Sequence, residues 1–310
     1  MTRALVTGST GFTGRALLAR LRAAGTDVHA VSGRRHRTVP FLDLENVEQV
    51  AACLRDVRPN VVFHLAGAMD APDLSTTLRV NAVGGAAMRD ALDAAGLDGT
   101  VLVLVGSAAE YGPLDDDDLP AREDGRTEPA TPYGVAKWAQ TRLCLARSTP
   151  ERPVIVARPS NIVGPGMPPY LALASFARQL AEMEAGQRDP VLEVGDLDAV
   201  RDFIDVDDVA DILCRLADTP AAAGQAVNVA TGAPVRLGEA LAVLRGRFDV
   251  DAEVRSSVGR GSSRGASKFW ASTERLFGLV GAVQFTPLAR SLDRLAHAER
   301  ERVGGGKQGL

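Results

Sequence analysis

The clearest structural signal in the chain is the stretch Thr7-Gly8-Ser9-Thr10-Gly11-Phe12-Thr13-Gly14. It follows a short apolar run, Ala4–Thr7, and precedes a segment of helical periodicity, Arg15–Ala24. Glycines at this spacing allow a tight turn, let the backbone approach a pyrophosphate and let the helix pack closely on the sheet. The helix N-terminus then offers N–H groups and a positive dipole end to the anion. The stretch therefore predicts a dinucleotide site formed by Gly8, Thr10, Gly11, Phe12, Thr13 and Gly14.

Strand and helix patterns alternate through the first half of the chain. Further strands are predicted at Val28–Val31, Val61–Leu65, Val101–Val105 and Val154–Ala157, and helices at Val47–Val57, Leu78–Ala95 and Tyr133–Arg147. This alternation predicts an α/β fold with a doubly wound parallel sheet of the Rossmann type. Ligands of such a sheet bind at the carboxyl ends of its strands.

The pattern becomes less regular after Pro159, where a turn-rich loop, Gly164–Pro169, begins. We therefore predict a Rossmann domain over residues 1–160, with later additions from about 195–232. A smaller, discontinuous substrate lobe is predicted from residues 161–194 and 233–303. Residues 304–310 are expected to form a flexible tail.

The end of the second strand indicates which dinucleotide is bound. An acidic residue there would bind the adenosine ribose of NAD, but the sequence places Ser32 at that position, followed by Arg34 and Arg35. Guanidinium groups pair with phosphate through charge-assisted hydrogen bonds. These residues predict NADPH as the cofactor, with NADH possible; a solvated basic loop is the alternative.

Three side chains predict ketone reduction. Ser107 follows the continuously apolar strand Val101–Val105, and Tyr133 and Lys137 lie four apart, on one face of a predicted helix. A phenol can protonate the alkoxide that hydride addition creates, and a neighbouring ammonium would shift the pKa of that phenol towards working pH. The serine hydroxyl supplies a second donor to the carbonyl oxygen. Ser107, Tyr133 and Lys137 are therefore the predicted catalytic residues.

Bulk properties exclude several other classes of protein. The formal net charge of -4 over 310 residues gives no reason to expect nucleic acid or an anionic membrane as a partner. The three cysteines are scattered without a metal or redox spacing, and the acidic run Asp115–Asp118 is expected to be a solvated loop. No signal peptide or spanning segment is predicted, so a cytoplasmic protein is expected.

The motifs together resemble the extended short-chain dehydrogenase/reductase family, also called the NAD-dependent epimerase/dehydratase family. The resemblance rests on Thr7-Gly-x-x-Gly-x-x-Gly14, His64-Leu65-Ala66-Gly67, Asn81, Ser107 and Tyr133-x-x-x-Lys137, and within the family the GDP-4-keto-6-deoxymannose reductases are most similar. It implies that Asp43 and Leu44 border the adenine, that Asn81 supports the active-site helix, and that a homodimer is possible. It further implies that Leu65, Ala66, Gly67 and Pro159 contact the cofactor, and that Ala109, Asn161, Met167, Tyr170 and Arg201 face the substrate. For Arg201, a diphosphate ligand and a structural ion-pair partner are equally open alternatives.

Some segments depart from the family pattern. Ala109 replaces the acidic residue of hexose dehydratases, so dehydration is not expected. Residues 261–267 lack the proline and acid that usually help to hold a nucleotide, and residues 68–80 are shorter than in sugar-nucleotide reductases. These departures favour a rebuilt pocket, with Met69, Met167, Pro168 and Tyr170 around a flat apolar ketone; ordinary core packing is the alternative.

Several functions remain open at this point. The first is NADPH-dependent reduction of an aromatic polyketide (angucyclinone) ketone in antibiotic biosynthesis. The second is reduction of a nucleotide-linked 4-keto-6-deoxyhexose, and a third is epimerisation of a nucleotide sugar. A non-catalytic dinucleotide sensor is disfavoured by the intact Ser107, Tyr133 and Lys137. If the ketone carries a neighbouring phenol, the substrate itself could supply the proton in place of Tyr133.

Overall fold

A computed structural model describes residues 2–33, 35–256 and 268–305. Its strands are β1 Arg3–Thr7, β2 Asp27–Ala30, β3 Val61–His64, β4 Val101–Val105, β5 Val154–Pro159, β6 Asn161–Val163, β7 Val191–Val194, β8 Val200–Asp205, β9 Ala226–Val229, β10 Pro234–Arg236 and β11 Glu253–Ser256. Its α-helices are α1 Phe12–Ala23, α2 Val47–Val57, α3 Leu74–Leu78, α4 Gly84–Ala95, α5 Pro132–Leu145, α6 Ala172–Glu184, α7 Val206–Ala217, α8 Leu237–Arg245, α9 Glu274–Val280 and α10 Leu288–Gly305.

The predicted parallel sheet is confirmed. Its strand order is β2-β1-β3-β4-β5-β9, and every neighbouring pair is parallel. The chain direction across the sheet reverses between β1 and β3, which is where sheets of this kind bind their ligands. The sequence-based boundaries of β4 and α2 agree with the structure at both ends.

Helices cover both faces of the sheet because its central strands are apolar on both sides. On one face, Leu5 and Val62 pack with α2 and α4 through Leu54 and Met88. On the other face, α1 and α7 pack against the alternate strand residues, among them Val6 and Phe63. The sheet and its helices therefore form a rigid platform, and the carboxyl ends of β1, β3, β4 and β5 open towards one edge.

The segment predicted as one long helix from Leu78 to Ala95 is more complex. It begins four residues earlier, as α3, and passes through a π-helical turn, Arg79–Val83, before continuing as α4. Asp73 caps α3 by accepting a hydrogen bond from Thr76 N. A π turn inserts an extra residue into the helical repeat, and helical periodicity alone does not indicate it.

Smaller sheets and a third core lie beyond β5. The strands β10, β8 and β6 form one small sheet, and β11 pairs with β7 in another. A hydrophobic cluster joins α6, α8 and α10, with Leu180, Leu244 and Leu295 at its centre. The domain boundaries given above remain a prediction. Helix α10 continues through Gly305, two residues into the predicted tail, and residues 306–310 lie outside the described residues.

Candidate active site

A cleft of about 1430 Å³ runs along the carboxyl edge of the large sheet. The predicted site residues that line it are Gly8, Gly11, Phe12, Thr13, Gly14, Leu65, Gly67, Ser107, Ala109, Tyr133, Lys137, Pro159, Asn161, Met167, Tyr170 and Arg201. Thr10, Ser32, Arg35, Asp43, Leu44 and Ala66 do not line this cleft. The glycine turn and the three predicted catalytic side chains thus share one cavity.

The glycine turn after β1 packs so closely on the segment after β3 that it leaves no room for side chains. Gly8 has a φ of +65°, and a Cβ on it would lie 2.6 Å from Ala66 N. A Cβ on Gly14 would lie 2.2 Å from the Gly8 carbonyl oxygen. Helix α1 begins at Phe12, its N-cap residue Gly11 offers no side-chain cap, and its first turn has no acidic residue. The turn is therefore shaped to bring backbone and helix N–H groups against an anion, as a dinucleotide pyrophosphate requires.

The loop after β2 surrounds the position where an acid would select NAD. Ser32 is buried and pairs with the segment before residue 43: its N–H donates to the Pro40 carbonyl and its carbonyl accepts from Leu42 N. Leu44 lies against Gly33, within 3.6 Å of the position of a Cβ. Near the same loop, Arg35 stacks over the Phe41 ring at 5.6 Å. Arg34, the other predicted phosphate ligand, lies outside the described residues.

Ser107 sits in a short turn at the end of β4. The Ala109 N–H donates to Ser107 Oγ at 3.1 Å, and the Ser107 N–H donates to Glu110 Oε1 at 2.9 Å. This reciprocal pair is a capping box, and it fixes the serine at the edge of the cleft. The prediction from sequence located Ser107 but not the role of Glu110.

Helix α5 presents Tyr133 and Lys137 to the same cleft. Thr131 caps the N-terminus of this helix, since its Oγ1 accepts a hydrogen bond from Gly134 N. Pro132 is the first helical residue, a position that suits proline. A Cβ on Gly134 would lie 2.5 Å from the Ala109 carbonyl oxygen. The helix therefore contacts the Ser107 turn through backbone atoms, which brings the tyrosine next to the serine.

The pKa of Tyr133 shifts in the direction opposite to that predicted from the sequence. Burial raises the pKa of its phenol to about 12, with Glu110 adding to the rise and a hydrogen bond with Ser107 opposing it. We expected a neighbouring ammonium to lower it; instead Lys137 turns towards the sheet and donates to the Val105 carbonyl at 2.8 Å. Desolvation thus determines the direction of the shift, and the phenol is protonated at neutral pH. That is the form that a proton donor needs.

The loop after β3 is held from two sides. His64 is fully buried beside Thr7, whose Oγ1 lies 3.1 Å from His64 Nδ1, and burial lowers the pKa of the imidazole to about 3. Asn81, in the π turn, donates to the Ala68 carbonyl at 2.8 Å and accepts from Ala68 N at 3.1 Å. Asn81 was expected to support the active-site helix, but its hydrogen bonds fix the Gly67–Ala68 loop and the preceding turn of its own helix.

The part of the cleft lined by the predicted substrate residues, called its far half below, has an apolar rim and few cations. Met69 and Tyr170 are about half exposed at the mouth, whereas Met167 is buried in the α6 core. Asn161 donates to the Asp202 carbonyl, and burial lowers the pKa of Arg201, whose Nη1 donates to the Val200 carbonyl. The charged side chains among the described lining residues are Asp73, Lys137, Glu193, Asp196 and Arg201.

A buried polar network beneath the site was not predicted. Arg158 Nε on β5 donates to Glu110 Oε2 at 2.8 Å, and both side chains are almost completely buried. The guanidinium also lies 5.1 Å from the centre of the Tyr111 ring, whose hydroxyl donates to Asn228 Oδ1 at 2.6 Å. An arginine inside an otherwise apolar strand was the one sequence signal of this network. Arg158 fixes the Glu110 carboxylate, and Glu110 in turn fixes the Ser107 turn.

Other kinds of site find no support in the described ranges. They contain no cluster of three or more potential metal ligands, and none of their helices has the length and apolar character of a membrane span. Burial raises the pKa of Cys53, Cys144 and Cys214, so their thiols are poor nucleophiles.

Comparison with known proteins agrees with this geometry. The model of the NAD dependent epimerase/dehydratase family matches residues 4–230. GDP-6-deoxy-D-mannose reductase of Pseudomonas aeruginosa is 37% identical over 257 residues, which cover 81% of this chain and 82% of that protein. The dTDP-6-deoxy-L-talose 4-dehydrogenase (NAD(P)(+)) of Kitasatospora kifunensis is 32% identical over 239 residues, 74% of each chain.

A solved structure agrees over nearly the whole chain. The structure of RMD from Pseudomonas aeruginosa complexed with NADPH matches with a TM-score of 0.86 and 32% identity, and covers 97% of this chain and 100% of that one. The resemblance stated from the motifs is thereby confirmed. The chain belongs to the NAD dependent epimerase/dehydratase family.

Proposed function

We propose that the protein is an NADPH-dependent ketoreductase. The proposal rests on one observation: Ser107, Tyr133 and Lys137 line the same cleft as the glycine turn. The protonated phenol of Tyr133 is suited to reduction, because the carbonyl oxygen must gain a proton as it becomes an alcohol.

The residues of the cleft fit a bound dinucleotide. Gly8, Gly11 and Gly14 in the cleft would hold the pyrophosphate. Arg34 and Arg35, in the loop after β2 and not in the cleft itself, would contact the adenosine phosphate of NADPH. When bound, NADPH supplies the hydride that adds to the ketone carbon. Lys137 would bond the nicotinamide ribose.

Proton transfer is assigned to this chain's own side chains. Tyr133 donates its hydroxyl proton to the oxygen of the carbonyl as negative charge develops there. Ser107 donates a second hydrogen bond to the same oxygen and orients it towards the phenol. General acid help of this kind contributes about 10²–10⁴-fold to the rate.

The first substrate class that we propose is a nucleotide-linked 4-keto-6-deoxyhexose. It is supported by the names of the relatives, which act on GDP- and dTDP-linked 6-deoxyhexoses, and by Arg201 in the far half of the cleft. The sequence-based hypothesis put an aromatic polyketide ketone first, and the relatives favour the sugar nucleotide instead.

An aromatic polyketide ketone is the second candidate, and the charge of the cleft favours it. Among the described lining residues, the three carboxylates Asp73, Glu193 and Asp196 outnumber the two cations, Lys137 and Arg201. A diphosphate is held best by several cations, whereas a flat apolar ketone would fit the rim formed by Met69 and Tyr170.

Competing substrates test the proposal directly. The protein is incubated with NADPH and either a GDP- or dTDP-4-keto-6-deoxyhexose or an angucyclinone ketone, and the loss of absorbance is followed. We expect stoichiometric NADPH oxidation with the sugar nucleotide. Turnover of the polyketide alone would establish the second candidate. Interconversion of sugar epimers without net NADPH consumption would instead identify an epimerase and contradict the proposal.

The arginine pair makes a separate prediction about cofactor choice. The double variant Arg34→Ser/Arg35→Ser is expected to raise KM for NADPH by about tenfold to a hundredfold, since it removes charge-assisted hydrogen bonds to the extra phosphate. KM for NADH should stay unchanged, because NADH lacks that phosphate. Arg37→Ser, two residues after Arg35, is the matched control. An equal rise in KM for both cofactors would contradict the assignment.

A further inference from the structure

Gln140 lies one helical turn after Lys137 on α5 and contacts its ammonium group directly. Lys137 Nζ donates to Gln140 Oε1 at 3.0 Å, and its second acceptor is the Val105 carbonyl at 2.8 Å. Both side chains are almost completely buried. Two of the three ammonium N–H groups thus donate to protein acceptors, and the third can donate to a ligand in the cleft that Lys137 lines.

The orientation of the glutamine side chain is set by the lysine. An ammonium group has no acceptor, so only the oxygen of the amide can face it. The other end of the amide, Gln140 Nε2, is buried and has no hydrogen-bond partner in the described part of the chain. A buried donor without a partner is unfavourable, and such groups are rare in folded proteins. The contact with Lys137 is therefore the interaction that accounts for an amide at this position.

A glycine on the neighbouring helix makes room for this amide. A Cβ on Gly85 in α4 would lie 2.7 Å from Gln140 Cγ and 3.0 Å from Gln140 Nε2. The adjacent Gly84 is also buried, yet a Cβ there would meet only the Arg79 carbonyl oxygen, at 3.7 Å. The slot for the glutamine thus depends on Gly85 and not on a glycine-rich helix as such.

We propose that Gln140 is a positioning residue that holds the Lys137 ammonium in its charged form and directs it into the cleft, in a slot created by Gly85. This inference rests on the proposed NADPH-dependent function, since it assigns Lys137 to the cofactor. It adds to the Tyr133 and Lys137 pair a third member at the next turn of the same helix.

The other titratable groups around Lys137 contribute little negative charge to stabilise its ammonium, so the Gln140 amide oxygen matters more. Glu110 favours the charged form, but burial raises the pKa of that carboxyl and Arg158 pairs with it. His64 stays neutral, because burial lowers its pKa to about 3, and burial raises the pKa of Cys144 to about 11. Tyr133 is protonated at neutral pH. Burial lowers the pKa of Lys137 to about 8, close enough to neutral pH for the loss of a hydrogen-bond acceptor to change the charged fraction of the ammonium.

Binding of NADPH as a function of pH tests the proposal without relying on turnover. Titration by cofactor fluorescence should show affinity falling as the pH rises through about 8, where Lys137 loses its proton. Gln140→Met keeps the volume and removes the acceptor, so we expect this fall to begin about one pH unit lower. Gln140→Glu restores an acceptor and adds negative charge, and should move the fall to higher pH.

Two glycine variants serve as a matched pair. Gly85→Ala is expected to displace the amide and reproduce the shift of Gln140→Met, whereas Gly84→Ala should leave the wild-type profile. Circular dichroism establishes that each variant is folded. A wild-type pH profile for folded Gln140→Met, or equal shifts for Gly84→Ala and Gly85→Ala, would overturn the inference. Failure to reduce any ketone would refute the proposed function alone, because the binding profile does not depend on turnover.

Discussion

Replacement of Tyr133 by phenylalanine is expected to lower kcat for ketone reduction by about 10³-fold, because it removes the proton donor and leaves the ring in place. Affinity for NADPH should change little. The pKa of the phenol is raised to about 12, so the donor stays in its acid form throughout the neutral range, and no loss of the wild-type rate there should arise from its ionisation. Single-turnover measurements at saturating NADPH give the chemical step directly.

Tyr170→Phe is the matched control for this prediction. Tyr170 lines the same cleft and is about half exposed, and we expect its hydroxyl to have no part in proton transfer. A Tyr133→Phe variant that kept most of its activity would show that the proton comes from elsewhere. With a ketone beside a phenol, the substrate itself would then be the source.

The second large effect is expected at the buried ion pair below the site. Arg158→Met leaves the Glu110 carboxyl buried without its guanidinium partner, and the free energy of unfolding should fall by about 3–5 kcal/mol. The chain should also lose activity, since Glu110 accepts the Ser107 N–H that fixes the catalytic turn. Urea unfolding followed by circular dichroism measures the loss.

An exposed ion pair provides the comparison for this variant. Arg126 pairs at the surface with Glu128, Asp115 and Asp118, and Arg126→Met should lower the free energy of unfolding only slightly. The double variant Glu110→Gln/Arg158→Met is expected to recover part of the stability, because no charge is then left buried. A loss for Arg158→Met no larger than that for Arg126→Met would refute the importance assigned to the buried pair.

Local patterns predicted the parts of the molecule that depend on local sequence. The glycine turn and the Tyr133-x-x-x-Lys137 spacing each lie within one turn or one helix, so their geometry follows from neighbouring residues. The continuously apolar strand β4 was predicted with its observed bounds for the same reason. The relatives and the fold comparison agree with the family that these motifs indicated.

Contacts between distant segments could not be predicted in this way. Glu110 and Arg158 lie 48 residues apart, and only the packing of β5 against the Ser107 turn brings them together. The direction of the Tyr133 pKa shift was wrong because it depends on burial and on where the lysine points, both tertiary properties. The three-residue strands β6 and β10 are too short to show a periodicity.

The close approach of Gly134 to the Ala109 carbonyl has a consequence for how this enzyme can diverge. The distance between the Tyr133 phenol and the Ser107 hydroxyl is set by main-chain contact between Gly134 and Ala109. Substitutions of the surrounding side chains should therefore change the proton-transfer geometry little. The side chains of Met69 and Tyr170 also line the cleft but are about half exposed, so they are not tightly packed. New ketone substrates can therefore be accommodated by changing these two side chains while the chemistry stays intact, which makes Met69 and Tyr170 the natural targets for altering substrate range.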